Sequence, residues 1–523
     1  MKKIVLVAIN AKYVHSSLAA WVIAAGISKN AHHPYDVQIV EATIHNDNAE
    51  IVSKIAAHSP DIVGISAYIW NASKLPEILK LLRESLPSAK LILGGPEAVF
   101  NVEYWLGSGA DVVLQGEGEY TFPDFLNEMV QAERNEECDD YIDPYTDEYF
   151  AALQGRLAYV ETSRGCPFTC AFCLSAGTNV RYFPMETVKE QLLKLSKSNA
   201  RTIKLVDRTF NCNAKRAYEI FEYILGLDTE CCYHFEVAAD LFDERTIALL
   251  QTAPPGRIQF EVGLQSFHEP ALEASSRKTS LHEAELRIKE LLSAGNIHMH
   301  VDLIAGLPYE TLSDFEKSFG KAFSLRAHTL QLGFLKLLHG SELRRQAPSL
   351  GIIFNENPPY EIISSPWLST EDFTFLKQVE NALSHTYNKG RFLTSIEYVL
   401  TVSNISPFDL FHKIGTSAPN HGTDLPAYAL EIIDICLKLP NVDRQTFLDL
   451  MVYDWMGMVK GKNMPDRLRV IDTNRSQVIS EAKMRLGRKI RRDEAAVMLS
   501  GKGIYVDSET RDPVTGLYKV FAI

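Results

Sequence analysis

The sequence predicts an α/β chain in three parts: a doubly wound parallel sheet, a partial (β/α)6 barrel and a mainly helical C-terminal region. Three observations carry this. Short strand-like apolar runs alternate with helical stretches as far as about residue 355, the alternation pauses at one acidic segment, and beyond Pro359 helical periodicity dominates. The division that follows is 1–134, an acidic linker at 135–151, a core at 152–355 and a helical domain at 356–523. A chain of 523 residues has room for roughly three such domains.

In the first part the strand-like runs are 4–9, 37–40, 62–66, 91–93 and 111–114. Between them Leu18, Trp21, Val22 and Ala25 recur at helical spacing, as do Leu75, Ile78, Leu79 and Leu82. Ligands of open parallel sheets bind outside the carboxyl ends of the strands. The loops there hold Lys12 and Tyr13; Ser66, Tyr68, Trp70 and Asn71; Gly94, Gly95, Pro96 and Glu97; and Gly116, Glu117, Gly118 and Glu119. Glycine lets backbone approach a bulky ligand, the Ser, Tyr and Asn side chains offer hydrogen bonds, and Trp70 offers an aromatic wall. One such loop alone reads as an ordinary turn. Four on one edge read as a binding edge.

Residues 133–149 are acidic, contain proline and lack apolar periodicity, which describes a linker. Strands then resume at 158–162, 202–206, 233–238, 257–263, 298–304 and 329–335, with helical patterns such as 188–195 and 217–225 between them. Chemistry in such folds sits at the carboxyl ends of the strands. Just after the first strand come Cys166, Cys170 and Cys173, at C-x3-C-x2-C spacing. One short loop thereby presents three thiolates to one inorganic cluster and leaves a corner without a protein ligand. Three buried structural cysteines would be the plain alternative. Zinc would need a fourth Cys or His close by, and none follows Cys173. The other five, Cys138, Cys212, Cys231, Cys232 and Cys436, are scattered and read as reduced thiols.

These segments resemble two known families. The four N-terminal loops resemble the cobalamin-binding domain that precedes many radical S-adenosylmethionine (SAM) enzymes. The cysteine motif, with Phe172 before its last Cys, resembles that of the radical SAM superfamily. Residues 206–211 resemble the family's segment after the second strand, 261–266 its fourth-strand segment near the SAM ribose and methionine, and 304–310 its fifth-strand glycine motif against the adenine. The resemblance implies a [4Fe-4S] cluster on the three cysteines, with SAM on the fourth iron and its reductive cleavage to methionine and a 5′-deoxyadenosyl radical. Phe172, Asp207, Glu261, Gln265, Ser266, Gly306 and Pro308 would then lie against SAM, as would Glu236 unless it is a structural acceptor. No D-x-H-x-x-G follows the first strand, so cobalamin is expected with its base detached and no histidine on cobalt. His15 in that region reads as a hydrogen-bonding or surface residue. His298, His300 and Asp302 share one face of the fifth strand and read as polar barrel lining near SAM or substrate, in preference to a second metal site.

The C-terminal region shows helical patterns at 371–385, 391–403, 425–438, 446–454 and 476–489, and a hairpin from 503–506 and 517–522. It resembles a domain of unknown function appended to cobalamin-linked radical SAM proteins, and is expected to cover the barrel mouth. The charge runs 443–446 and 491–494 read as solvated helix faces. The function implied is a cobalamin-dependent methyltransferase working on an unactivated carbon of a small molecule or peptide, with flavodoxin or ferredoxin as electron donor. Rearrangement or cyclisation without methyl transfer is the second reading, and a non-catalytic cobalamin or iron–sulfur carrier or sensor the third. Transfer RNA methylthiolation is disfavoured, because Cys138 is the only cysteine before Cys166 and a second cluster has no ligands. A net charge of -13 argues against nucleic acid and anionic membranes. No apolar run reaches the ~20 residues that span a bilayer, and the chain opens without a signal-peptide pattern, so a cytoplasmic location is expected.

Overall fold

The computed structural model describes residues 1–129, 141–417, 424–458, 463–470 and 475–523. It divides into two compact units: Met1–Glu236 with Ser275–Arg277 and Lys336–Ile362, and Val237–Ala274 with Lys278–Leu335 and Ile363–Ile523. Among the described residues no helix is long and apolar enough to cross a membrane.

The first unit opens with five parallel strands, β1 (Lys2–Asn10), β2 (Tyr35–Thr43), β3 (Ile62–Ser66), β4 (Lys90–Gly94) and β5 (Val112–Val113), in the order β2-β1-β3-β4-β5. Strand β1 is buried from Ile4 to its end because helices cover both faces of the sheet. The helix Leu75–Ser85 buries Leu75, Ile78, Leu79 and Leu82, the stripe its sequence predicts. The helix Leu18–Asn30 differs. It buries Ala20, Gly26 and Ile27, while Trp21 on the predicted stripe meets the edge of Tyr149 at 5.6 Å. That contact revises the linker. Residues 130–140, including Cys138, lie outside the described residues, but Ile142, Tyr145, Tyr149 and Leu153 are all buried. The acidic composition hid an aromatic cluster, Tyr145 with Tyr149 and Phe150, that packs this stretch in place.

The same unit then places β6 (Ala158–Val160), an antiparallel hairpin of β7 (Ser163–Cys166) and β8 (Thr178–Tyr182), β9 (Thr202–Leu205) and β10 (Cys232–Val237). Strands β6, β9 and β10 pair in parallel. In the second unit β11 (Ile258–Gln265), β12 (Ile297–Ala305) and β13 (Thr329–Phe334) also pair in parallel. Burial along β11 and β12 alternates strictly, so Glu261 and Gln265 lie on one face of their strand and His298, His300 and Asp302 on one face of theirs. These six strands are the six βα strands expected of the core.

The C-terminal helices are Thr370–His385, Leu393–Ser403, Pro407–Ser417, Leu425–Cys436, Arg444–Met458 and Arg475–Leu486, followed by a three-stranded antiparallel sheet of Ala495–Val497, Gly503–Arg511 and Tyr518–Ala522. The helix at 407 and the strand at 495 were not legible in the periodicity. The hairpin packs within the second unit. Its turn reaches the amino ends of the second unit's strands: the Val514 carbonyl lies 2.8 Å from His298 Nδ1, near the start of β12. Trp367 packs at a tilt of 50° on Tyr309, after β12, with ring centroids 4.6 Å apart. The run 491–494 is solvated at Arg491, Arg492 and Asp493, but Glu494 is 1% exposed and accepts from Arg488 at 3.0 Å. The Arg488 guanidinium and other donors outweigh the effect of burial and hold that carboxyl down at about 2.

The helix Leu393–Ser403 begins at Phe392, which has no capping side chain. Asp454 caps it from another helix, accepting from Ser395 N at 2.8 Å and Ser395 Oγ at 2.7 Å. Asp454→Ala is therefore expected to cost about 2–3 kcal/mol in urea unfolding, the scale of lost hydrogen bonds to a buried charge.

Candidate functional site

The three cysteines are carried by the β7–β8 hairpin and its loop. Gly165 takes φ +106 and its Cα lies against the Asn179 carbonyl, so a side chain there would overlap backbone. The loop after it is fixed by main-chain bonds: Gly177 N to Phe168 O at 2.7 Å, Cys173 N to Cys170 O at 3.0 Å, Ala171 N to Ser275 O at 2.8 Å and Leu343 N to Ala171 O at 2.8 Å. Cys166 and Cys170 are buried, Cys173 is half-buried, and none is in a disulfide. Burial pushes the Cys173 thiol up, and the thiols of Cys170 and Cys166 nearby add to that. Among the described residues no three His, Cys, Asp or Glu side chains close on a single ion. Three soft donors without a fourth suit a cluster, which spreads its thiolates over separate iron corners, better than one zinc ion.

Polar groups converge on these sulfurs. Arg277 Nη1 lies 3.5 Å from Cys170 Sγ, and Thr209 Oγ1 lies 3.6 Å from Cys166 Sγ. Arg277 is 107 residues from its cysteine, and no spacing in the sequence announces it. Asp207 is 1% exposed and lies beneath the hairpin. It accepts from Thr162 N at 3.0 Å, Thr162 Oγ1 at 2.7 Å and Ser163 Oγ at 2.5 Å. Its role here is to clamp the strand that enters the cysteine loop. Glu236 forms an ion pair with Lys204 at 3.3 Å. Phe172 is half-buried within the loop.

Around the carboxyl edge of the five-stranded sheet the predicted residues divide. Tyr68 and Trp70 stack face to face at 4.4 Å, with Trp70 42% exposed and its Nε1 donating to the Ile9 carbonyl at 3.0 Å. Lys12 and Tyr13 are exposed beside them, and Ser66, Gly94, Gly95 and Pro96 are half-buried. Asn71 is fully buried and spans three backbone groups, donating to Ile9 O and Ser66 O and accepting from Tyr68 N at 2.9 Å. Gly95, at φ +95, is bare because the Ala67 carbonyl lies against it. Glu97 is engaged by the hydroxyl of Tyr360. Burial raises its carboxyl, partly opposed by Tyr360 and Arg344. Glu117 and Glu119 bind Arg164, each at 2.8 Å. Gly116 and Gly118 shape that turn. His15 Nδ1 meets Tyr159 OH at 2.5 Å, and burial, then Lys12 and Lys204, lower its pKa, which keeps the ring neutral at pH 7.

In the second unit Gln265 stands at φ +71 in a bulge at the carboxyl end of β11, and its buried Oε1 has no hydrogen-bond partner. Left-handed backbone and a buried acceptor without a partner set Gln265 apart from the rest of its strand. Glu261 and His300 are register partners on adjacent strands, and His300 Nε2 lies 2.9 Å from Asp302 Oδ1. Gly306 follows β12 at φ +100 and Pro308 is buried behind it. Ser266 donates to Glu310 Oε1 at 2.5 Å, as Ser318 does at 2.9 Å, so the fully buried Glu310 ties the end of β11 to the turn after β12.

Comparison with known proteins agrees with this arrangement. Residues 4–126 match the family model described as B12 binding domain, residues 160–322 the radical SAM superfamily, and residues 349–495 a protein of unknown function, DUF4080. The cobalamin-dependent radical SAM methyltransferase TokK of Streptomyces tokunonensis is 23% identical over 314 residues, 51% of this chain and 46% of that protein. An uncharacterised methyltransferase of Pyrococcus horikoshii, PH0819, is 24% identical over 403 residues, 69% of this chain and 86% of that protein. The anaerobic magnesium-protoporphyrin IX monomethyl ester cyclase of Rubrivivax gelatinosus is 25% identical over 346 residues, 58% of this chain and 61% of that protein. The chain thus spans about half the length of TokK. The solved structure of OxsB with aqua-cobalamin and SAM bound superposes with a TM-score of 0.59 at 13% identity, covering 94% of this chain and 82% of that one. The shared fold is thereby shown.

Two outcomes test the geometry. Asp207→Ala should cost on the order of 3 kcal/mol and lower the iron bound after anaerobic reconstitution, because two hydroxyls and an amide lose their buried acceptor; unchanged iron content would contradict the clamp. Burial raises the Glu310 carboxyl from 4.5 to about 7, with Ser266 and Ser318 opposing. The unfolded chain releases this proton near pH 4.5 and the folded chain near pH 7, so stability is lost as pH rises through that window. The loss is at most about 3 kcal/mol. Urea unfolding at pH 5 and pH 8 should show this decline in the native chain, and a smaller one in Glu310→Gln.

Proposed function

We propose, for a chain that joins a B12-binding segment, a radical SAM segment and a DUF4080 segment in that order, a cobalamin-dependent radical SAM methyltransferase acting on an unactivated carbon of a small molecule or peptide. The observation that carries the reading is a rigid hairpin loop presenting three free thiols without a fourth ligand, in the same compact unit as a sheet edge lined by stacked aromatics. When bound, the cluster, SAM and cobalamin supply the electron transfer, the radical and the methyl group.

The chain's own residues bind and orient. Cys166, Cys170 and Cys173 hold the cluster, with Arg277 and Thr209 beside two of the sulfurs. Gln265 offers its unpartnered acceptor to a SAM hydroxyl, and Gly306 leaves room for the adenine. Tyr68 and Trp70 give a flat apolar face to the corrin, flanked by Lys12, Tyr13, Ser66, Gly94 and Gly95. Asn71, Glu97, Glu117, Glu119 and Asp207 support these loops from behind, because their polar atoms are taken up by protein groups. A reduced flavodoxin or ferredoxin in the cytoplasm supplies the electron, in a compartment that keeps the thiols reduced. Cyclisation without methyl transfer is the second reading, favoured by the likeness to the cyclase.

Anaerobically reconstituted protein, given SAM and a strong reductant, should release deoxyadenosine even without substrate. Cys170→Ala should lose the cluster absorbance and at least about 100-fold of that cleavage, since one thiolate in three is gone. With substrate and methyl-labelled SAM, label in the product supports methyl transfer, deoxyadenosine without labelled product favours cyclisation, and cleavage surviving in Cys170→Ala would sink both.

A further inference from the structure

Arg164 lies two residues before the first cluster cysteine, and nothing in the proposed chemistry uses it. Its guanidinium meets three carboxylates: Glu117 at 2.8 Å, Glu119 at 2.8 Å and Glu161 at 2.6 Å. Glu161 precedes the hairpin in the chain, but Glu117 and Glu119 belong to the Gly-Glu-Gly-Glu turn after β5, on the cofactor edge of the five-stranded sheet. Arg181, the cross-strand partner of Arg164 on β8, meets the same Glu117 at 2.6 Å. One carboxylate therefore bridges both strands of the cysteine hairpin. Without it two guanidinium groups would face each other across a two-stranded ribbon, where like charges directly opposite are destabilising.

The turn is anchored as firmly on its other side. Gly26 of the helix Leu18–Asn30 lies so close to the Glu119 carbonyl that a Cβ would overlap it, and Gly118 packs on Ile23. Arg164 and Arg181 also lie over the Phe183 ring at 5.8 and 5.7 Å, which confines both cations. The Arg164 side chain is 29% exposed and that of Glu119 10% exposed, so solvent screens this pair less than a surface ion pair, while Arg181 and Glu117, 45% and 32% exposed, are screened more.

We propose that Arg164 and Arg181 are positioning residues that join the 116–119 turn and the cysteine hairpin into one mechanical element, so that a change at the sheet edge is felt at the thiols. The inference rests on the proposed function only for what the two loops carry. It predicts that the loops loosen together. If the turn shifts, Glu117 and Glu119 shift with it, and the strand ending at Cys166 follows through Arg164.

Hydrogen exchange on the full chain tests the coupling without any cofactor. Glu117→Gln keeps the side chain's size and removes its charge. It should speed exchange of amides in 163–182 by roughly tenfold, the scale of lost charge-assisted bonds, while Arg164→Met should do the same in 116–120. The double variant should give less than the sum of the two single effects, because the Arg164–Glu117 pair is common to both, and Arg164→Lys should recover part of the protection. In reconstituted protein Glu117→Gln, which lies outside the cysteine loop, should shift the cluster's midpoint potential at unchanged iron content. Exchange changes confined to the substituted loop, or additive in the double variant, overturn the proposal, as does an unmoved potential. A native chain that takes up no cluster counts against the proposed function, and the exchange results then decide the coupling by themselves.

Discussion

The structure depends on holding three thiolates, drawn from eight consecutive residues, in one fixed arrangement. A loop that short has no core of its own, and burial with the neighbouring sulfurs disfavours ionisation of Cys173 in the absence of metal. The chain meets the constraint by borrowing contacts. Asp207 fixes the entering strand, Thr178 Oγ1 accepts from Cys166 N at 2.9 Å, and the main chain of Ser275 and Leu343 bonds to Ala171 in the middle of the loop. The site is therefore prepared by segments up to 172 residues away in sequence, and fixing the loop beforehand reduces the entropy lost when a cluster binds.

Carboxylates that sequence reading assigns to cofactors turn out to organise protein. Glu97, Glu117, Glu119 and Asp207 were reasonable ligand candidates, since acidic residues in glycine turns at strand ends often meet ligands. In the fold each has protein partners: a tyrosine hydroxyl, two arginines, or a pair of hydroxyls. What faces outward is the apolar and aromatic part, Tyr68 with Trp70, as suits the broad face of a macrocycle.

The sequence made the strands legible because burial on one or both sides leaves a strong apolar signal, and the order of motifs along the chain made the core legible. The helical stripe of 75–82 matched its buried face for the same reason. Partners distant in sequence were not legible. Arg277 beside Cys170, Glu310 beneath Ser266 and the docking of Val514 on His298 depend on packing that no local period encodes. Composition misled where an acidic segment contained a buried aromatic cluster, and it passed over Glu494, the one buried residue of an otherwise exposed charge run. In both cases a few buried side chains outweighed the average of their neighbours.

The central claim is an iron–sulfur cluster with one iron left open for SAM. Electron paramagnetic resonance of the anaerobically reduced protein tests it most directly, with and without SAM. The reduced protein should give the signal of a four-iron cluster whose g-values move when SAM is added, because the ligand changes the electronic environment of the open iron. A signal unaltered by SAM at saturating concentration would contradict it.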